Sequence, residues 1–266
     1  SAKEIGLSVS PIQDEELLTG IVILFVDITE RRALERAAEL NRQLAQVGEL
    51  AAGVVHEVRN PLSVIVGTAE LLQRRLHDET HQRHIQTIIT EARNIESGVT
   101  EFLGFARPFN LTPTGCHAED IAKRACELSR ARAEKKSVTL RFETPETIPE
   151  FRADPVRLAQ ALANVITNGI DAAADGGTVT VKVARQADDV VFEIHDTGPG
   201  IHTAPGENVF APFFTKKTGG TGLGLAICHR IVTAHGGQVT FVSPPGGGTR
   251  FRIEIPASNT WNDEPM

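Results

Sequence analysis

Apolar and polar positions alternate over the first 29 residues: Ile5, Leu7 and Val9 keep a two-residue period, Gln13 to Glu16 read as a polar turn, and IVILFVD at 21 to 27 resumes the apolar run. That pattern predicts two or three strands, too few to bury a core alone, so the segment is expected to be the tail of a larger domain. From Glu30 to about Leu76 the period changes. Leu44, Val47, Ala51, Val54 and Val58 step by threes and fours, predicting a coiled-coil seam, and Leu62, Ile65, Ala69, Leu72 and Leu76 continue it. The succession 54, 58, 62 takes two steps of four, a stutter that unwinds a supercoil, and Pro61 falls at the same place and should bend the helix. A polar loop near 77–83 leads to a second seam, Ile85, Ile88, Ala92, Ile95, Val99, Phe102 and Ala106, which stops before Pro108. Two such helices form an antiparallel hairpin with incompletely covered stripes, so a homodimer closing a four-helix bundle is expected.

After PFNLTPTG at 108–115 the pattern turns α/β. It predicts a helix from Ala118 to Lys135, a strand at 137–143, a helix from Pro155 to Ala174 with Asp154 as N-cap, and strands at 178–184 and 189–196. A Gly-, Pro- and Thr-rich loop at 197–221, a helix at 222–235 and the strands QVTFV and TRFRIEI complete the region. The expected fold class is multidomain, a dimerising helical hairpin followed by an α/β sandwich. The expected boundaries are 1–29 for the terminal strands, 30–44 for a coiled-coil helix, 45–107 for the hairpin, 108–117 for a linker, 118–256 for the sandwich and 257–266 for a tail.

Composition changes this picture mainly by exclusion. A net charge of −7 over 266 residues leaves no electrostatic footprint for nucleic acid, so no direct nucleic-acid partner is expected. Three cysteines, Cys116, Cys126 and Cys228, are widely spaced with no CxxC pair, which favours neither a disulfide framework nor a zinc site and suits a reducing cytoplasm. The longest apolar run, Gly20 to Val26, is far short of the roughly 20 residues of a membrane span, so a membrane would be reached only through an upstream region.

Four short stretches of the α/β region carry chemistry. NVITNGIDA at 164–172 puts Asn164 and Asn168 on one helix face; DTGPG at 196–200 sets a carboxylate at a strand end before glycines. FAPFFTKKTGGTGLGLAI at 210–227 places GTGLG at a helix start, where free N–H groups attract phosphate, and GGGTRF at 246–251 turns into a strand. Upstream, HEVRNP at 56–61 sits inside the first long helix. Taken in this order the motifs resemble the bacterial sensor histidine kinases: HEVRNP the H box, NVITNGIDA the N box, DTGPG and GTGLGL two glycine boxes, FAPFF the F box and GGGT a third glycine box. The likeness spans Arg31 to Pro256, and the flavour of HEVRNP and FAPFFTKKTGGTGLGL is similar to the nitrogen-regulation type. DITERR, Asp27 to Arg32, resembles the way PAS sensor domains hand over to a following helix. Two departures stand out: Gly169 where the family usually has Ala, and TKK at 215–217 where TTK is common.

The resemblance implies roles. His56 would be the phosphoacceptor, with Glu57 fixing its tautomer and taking up its proton. Asn60, one turn on, would place water in the reverse reaction on a phosphorylated partner, while Arg59 would either steady phosphate or form a surface ion pair. Asn168, supported by Asn164, would hold Mg²⁺. Asp196 would accept the adenine amino hydrogen bond, with Gly198 and Gly200 making room for the purine. Lys217 or Lys216 would meet the phosphates; Asp171, Gly220, Thr221, Gly222, Leu223, Gly224 and Thr249 complete the expected nucleotide site. The implied activity is ATP-dependent autophosphorylation on His56 and transfer to an aspartate of a response-regulator receiver domain, with phosphatase activity toward it. ATP and Mg²⁺ are the expected cofactors.

Rival readings are a mechanical ATPase of gyrase or chaperone type, a serine kinase of anti-sigma type and a silent nucleotide-binding scaffold. The first resembles the present pattern but carries a water-activating glutamate where this chain has Asn164, and the second lacks the hairpin. The missing GxxxxGK[ST] speaks against a P-loop enzyme. His77, His81 and His84 read as a solvated loop end or a metal site, Cys228 as a small core residue, and the FAPFF phenylalanines as anchors of a lid. His195, His229 and His235 have no partner visible in the sequence.

Overall fold

The computed structural model describes residues 4–14, 17–28, 32, 58–76, 78–106, 110–144, 148–204, 207–217 and 220–257. The chain divides into two compact units, Ser1–Pro108 and Phe109–Met266.

In the first unit, β1 (Ile5–Asp14) and β2 (Leu17–Asp27) form an antiparallel hairpin with Leu7 opposite Phe25 and Val9 opposite Ile23. Side chains directly opposite share a face, so Ile5, Leu7, Val9, Ile21, Ile23 and Phe25 line one side, each more than half exposed. A helix described over 58–75, α1, runs through Pro61; the turn before it, where a proline would break a helix hydrogen bond, lies outside the described residues. The Asp78 carboxylate accepts the N–H groups of Thr80 and His81 and so caps α2 (Glu79–Ala106). Leu62 and Ala69 of α1 and Ile85, Ile89, Ala92, Phe105 and Ala106 of α2 are buried, and the pairs Arg59–Glu96 (3.0 Å) and Glu70–Arg93 (2.9 Å) bridge the two helices. The predicted seam is only partly inward: Ile65, Leu72, Ile88 and Ile95 face out, and Ile89 takes the position expected for Ile88. The seam residues up to Val54 lie outside the described residues.

The second unit is an α/β sandwich. Its five-stranded sheet has the order β4 (Thr139–Glu143), β6 (Thr178–Gln186), β7 (Asp189–Asp196), β9 (Thr249–Pro256), β8 (Gln238–Val242), with β4 and β6 parallel and every other pair antiparallel. Strict alternation aims Val179, Val181, Val183, Phe192, Ile194, Phe251, Ile253 and Ile255 at one face, where they pack into a single core with α3 (Ala118–Lys135), α4 (Pro155–Ala172) and α5 (Gly224–Ala234). The other face carries Thr180, Lys182, Glu193, His195 and Arg250, which line a shallow pocket of about 280 Å³.

Two expectations change here. Thr114–Cys116 is a strand, β3, paired antiparallel with β5 (Phe151–Ala153), so the stretch 108–117 is not all linker. His235, expected to lack a partner, is fully buried and accepts the Asp154 N–H at Nε2 (3.0 Å). Its Nδ1 lies 2.8 Å from the Ile231 carbonyl, so Nδ1 carries the proton. The Asp154 carboxylate takes the N–H groups of Val156 and Arg157 as the N-cap of α4, and the N–H and hydroxyl of Thr112. The start of α4 is thereby tied to α5 and to the strand region before α3.

Candidate functional site

The site is assembled on α4. Its apolar positions Leu158, Leu162, Val165 and Ile166 are buried against the core, and the steps of four turn Asn164 and Asn168 together to the half-buried edge. Asn164 donates from Nδ2 to the Gly224 carbonyl (3.1 Å), which joins α4 to the first turn of α5. The N-cap position of α5 is Leu223, whose own side chain makes no cap bond; it is buried and bonded through its N–H to the Thr221 hydroxyl (3.4 Å). A helix start of this kind presents N–H groups that suit an anion.

Gly222 makes the approach to α5 possible. Its φ is +68°, and a Cβ there would lie 2.5 Å from the Phe213 carbonyl carbon. Phe213 itself sits at φ +65° and is 58% exposed, so it is not the packing anchor expected of FAPFF. That part is taken by Phe210, whose ring lies tilted against His229 at 5.4 Å and meets Phe241 edge-on at 6.2 Å. His229 thus has a neighbour, and burial lowers its pKa.

The two lysines separate. Lys216 donates to the His202 carbonyl (2.6 Å) and pairs with Glu207 (2.9 Å), away from α4. Lys217 reaches α4: its Nζ donates to Asn168 Oδ1 (2.6 Å) and lies 3.5 Å from Asp171 Oδ2. Desolvation pulls the Lys217 pKa below the usual lysine value, against the opposing pull of Asp171. Asp171 is held from the other side by Arg132, whose Nε and Nη2 donate to the two carboxylate oxygens at 2.6 and 3.0 Å. Arg132 lies on α3, outside every motif that sequence reasoning singled out.

Asp196 ends β7, 2% exposed. Its Oδ1 accepts the N–H of Gly198 (2.8 Å) and of Thr249 (3.3 Å), and desolvation raises its carboxyl pKa over the opposing effect of those bonds. The Gly248 N–H closes the opposite side on the Gly198 carbonyl (2.6 Å), so DTGPG and GGGT are one structure. The departure at Gly169 has a geometric counterpart: a Cβ would come within 3.0 Å of Asp196 Cβ and 3.6 Å of Oδ2. Glycine keeps the space beside that carboxylate open.

A family model described as "Histidine kinase-, DNA gyrase B-, and HSP90-like ATPase" matches residues 153–259, and one described as "His Kinase A (phospho-acceptor) domain" matches 46–108. The sensor histidine kinase ZraS of Escherichia coli O157:H7 is 35% identical over 238 residues, 89% of this chain and 52% of ZraS. Among solved structures, full-length ShkA in complex with AMPPNP aligns with TM-score 0.63 at 30% identity, covering 78% of this chain and 45% of ShkA. The histidine kinase ThkA in complex with the response regulator protein TrrA aligns with TM-score 0.62 at 29% identity, covering 95% and 75%. The ThkA catalytic domain alone aligns with TM-score 0.50 at 30% identity, covering 56% and 97%. The chain belongs to the histidine kinase family. It spans about half the length of ZraS.

Histidine kinases of this family join a helical hairpin to an ATP-binding α/β domain, and both are present here. Asn164, Asn168, Asp171, Asp196 and Lys217 all fall in the ATPase match, and His56, Glu57 and Asn60 in the phosphoacceptor match. His56 and Glu57 lie outside the described residues; Asn60 is exposed on α1. Arg59 forms the ion pair with Glu96 and also reaches Thr100 at 3.4 Å. Of the three loop histidines, His77 lies outside the described residues and His81 pairs with Asp78 at 3.3 Å. Among the described residues no cluster of three His, Cys, Asp or Glu side chains could hold a metal, and no helix is long and apolar enough to cross a membrane. The residues at α4 nevertheless suit a hard cation: the Asn168 amide oxygen already receives the positive charge of Lys217, and Mg²⁺ is held by few protein oxygens when phosphates supply the rest.

Proposed function

We propose that this chain is the transmitter core of a two-component sensor histidine kinase. ATP binds the α/β unit, its adenine read by Asp196 and its phosphates received by Lys217 and the start of α5. A ring nitrogen of His56 attacks the γ-phosphorus, the bond to the β-bridging oxygen breaks, and ADP departs; Glu57 takes the proton that the imidazole sheds. An aspartate of a receiver domain then accepts the phosphoryl group from His56, and Asn60 orients water when the phosphoaspartate is hydrolysed. Mg²⁺ bound at Asn168, with Asn164 behind it, would neutralise the charge that gathers on the phosphate oxygens. The hairpin 45–107 pairs with a second copy through the outward apolar residues Ile65, Leu72, Ile88 and Ile95. Residues 1–29 belong to a PAS-like sensor domain, 30–44 to a coiled-coil signalling helix, and 118–256, with β3 before it, to the catalytic domain. The receiver is of the nitrogen-regulation activator class.

The observation that carries this reading is the convergence of Asn168, Lys217 and the start of α5 on one edge of a domain that follows a phosphoacceptor hairpin. The ATPase alternative is disfavoured by Asn164, which has no carboxylate and commits its amide nitrogen to Gly224. Incubation with γ-³²P-ATP and Mg²⁺ tests it: acid-labile, alkali-stable label on the protein that passes to an added receiver domain is expected. Free phosphate released steadily with no protein label would favour the hydrolase.

A further inference from the structure

Three cations converge on the end of α4. Arg132 grips both oxygens of Asp171, Lys217 lies 3.5 Å from one of them, and Lys136 Nζ donates to the carbonyls of Ile170 (3.1 Å) and Asp171. Lys136 closes the negative end of the helix dipole and has its own oxygens. Arg132 and Lys217 share one carboxylate, and they share it unequally. The guanidinium makes two short, parallel, charge-assisted bonds. The ammonium makes its short bond, 2.6 Å, to the neutral amide oxygen of Asn168 and only a long contact to Asp171.

We propose that Arg132 is a positioning residue of the nucleotide site: by occupying Asp171 it keeps Lys217 from being captured there and leaves the ammonium free to transfer to phosphate. This rests on the reading that Lys217 meets the phosphates of ATP. With Arg132 in place, Lys217 exchanges a neutral amide oxygen for an anionic phosphate oxygen. Without it, the Asp171 carboxylate, 24% exposed, loses its bidentate partner and Lys217 is the nearest cation on the nucleotide side. The local charge also changes: Arg132, Lys136 and Lys217 against Asp171 leave an excess of two positive charges where a polyphosphate is expected. The direction of the effect is therefore set twice, by the trap and by the field.

The test is titration of the full chain with the fluorescent nucleotide TNP-ATP in Mg²⁺, with ATP competition and a thermal melt of each variant. Arg132→Met should raise the ATP Kd about fivefold, the size of one partly exposed ion pair. Adding Asp171→Asn to Arg132→Met removes the trap and should return the Kd to within about twofold of wild type, a rescue that a merely structural role of Arg132 would not produce. Asp171→Asn alone removes the competing carboxylate and one negative charge, so it should lower the ATP Kd below the wild-type value, and a raised Kd would overturn the trap even if Arg132→Met melts early. Lys217→Met separates the two layers: an unchanged Kd overturns the reading on which the proposal rests. A weakened Lys217→Met beside an unaffected Arg132→Met, or a double variant no better than Arg132→Met, overturns the role of Arg132 alone.

Discussion

The α/β unit closes its own core, whereas the described residues of the helical unit do not. In the first case Val179, Val181, Phe192, Ile194, Phe251 and Ile253 are at most 1% exposed beneath three helices, and the functional groups ride on elements fixed by that core. In the second, Ile65, Leu72, Ile88 and Ile95 stand 45–51% exposed on a hairpin whose inner seam is narrow. A binding site needs preorganised donors, and preorganisation comes from burial; the surface proposed to take a second copy needs apolar groups left over. The two units meet these opposite demands with the same residue types, spaced by two along strands and by three and four along helices.

The sharpest way to break that contrast is to excavate the sheet. Phe192→Ala should cost about 3–5 kcal/mol and lower the melting temperature of the α/β unit at every protein concentration. Gly222→Ala should cost about 1–2 kcal/mol from the left-handed backbone, more if Phe213 cannot yield, with loss of TNP-ATP binding as the readout. Asp154→Ala should cost about 1 kcal/mol through the lost cap of α4, measured by urea denaturation.

Acid should act at the same place. Burial lowers the His235 pKa, so the unfolded chain binds a proton that the folded one resists; stability is full above the unfolded value near 6.5 and falls as pH drops toward the folded one. For Asp154 burial acts upward, but the N–H groups of Arg157 and Thr112, with the Thr112 hydroxyl and Val156, outweigh it and hold the pKa below the usual value; its contribution is lost at lower pH still. Denaturation midpoints should therefore decline in two stages below pH 6.5, the first absent in His235→Gln. Burial pushes Cys228 up to about 12 and Cys116 to about 11, so thiol reagents at pH 8 should label neither in the folded protein. The smallest effect on the chain itself is expected for Ile88→Ser: no change in helix content, but a shift of the sedimentation coefficient toward monomer.

Much of this was legible in the sequence, and the misses have physical causes. Strands β6 and β9 announce themselves by strict alternation, β7 by its β-branched and aromatic run, and α4 by Asp154-Pro155 followed by apolar positions at helical spacing. The pair β3–β5 escaped because three residues are too few to establish a period, and their pairing joins Thr114 to Ala153 across the whole of α3. His235 escaped for the same reason: its hydrogen bond reaches back to Asp154. The glycine and asparagine motifs stood out through their order and spacing along the chain, which carry the resemblance. Yet which lysine faces α4 depended on where the loop sends Lys216, toward Glu207, which spacing does not encode. Arg132 left no local signal at all, since a helical arginine on a polar face is ordinary.

The central claim is a division of labour, with nucleotide held by the α/β unit and phosphate accepted by His56. It is tested most directly by measuring TNP-ATP binding and ³²P labelling side by side in His56→Ala and Asn168→Ala. The account predicts that His56→Ala binds nucleotide with the wild-type Kd and takes up no label, while Asn168→Ala loses labelling with Mg²⁺-dependent binding. Label retained by His56→Ala, or nucleotide binding lost with it, would contradict the account.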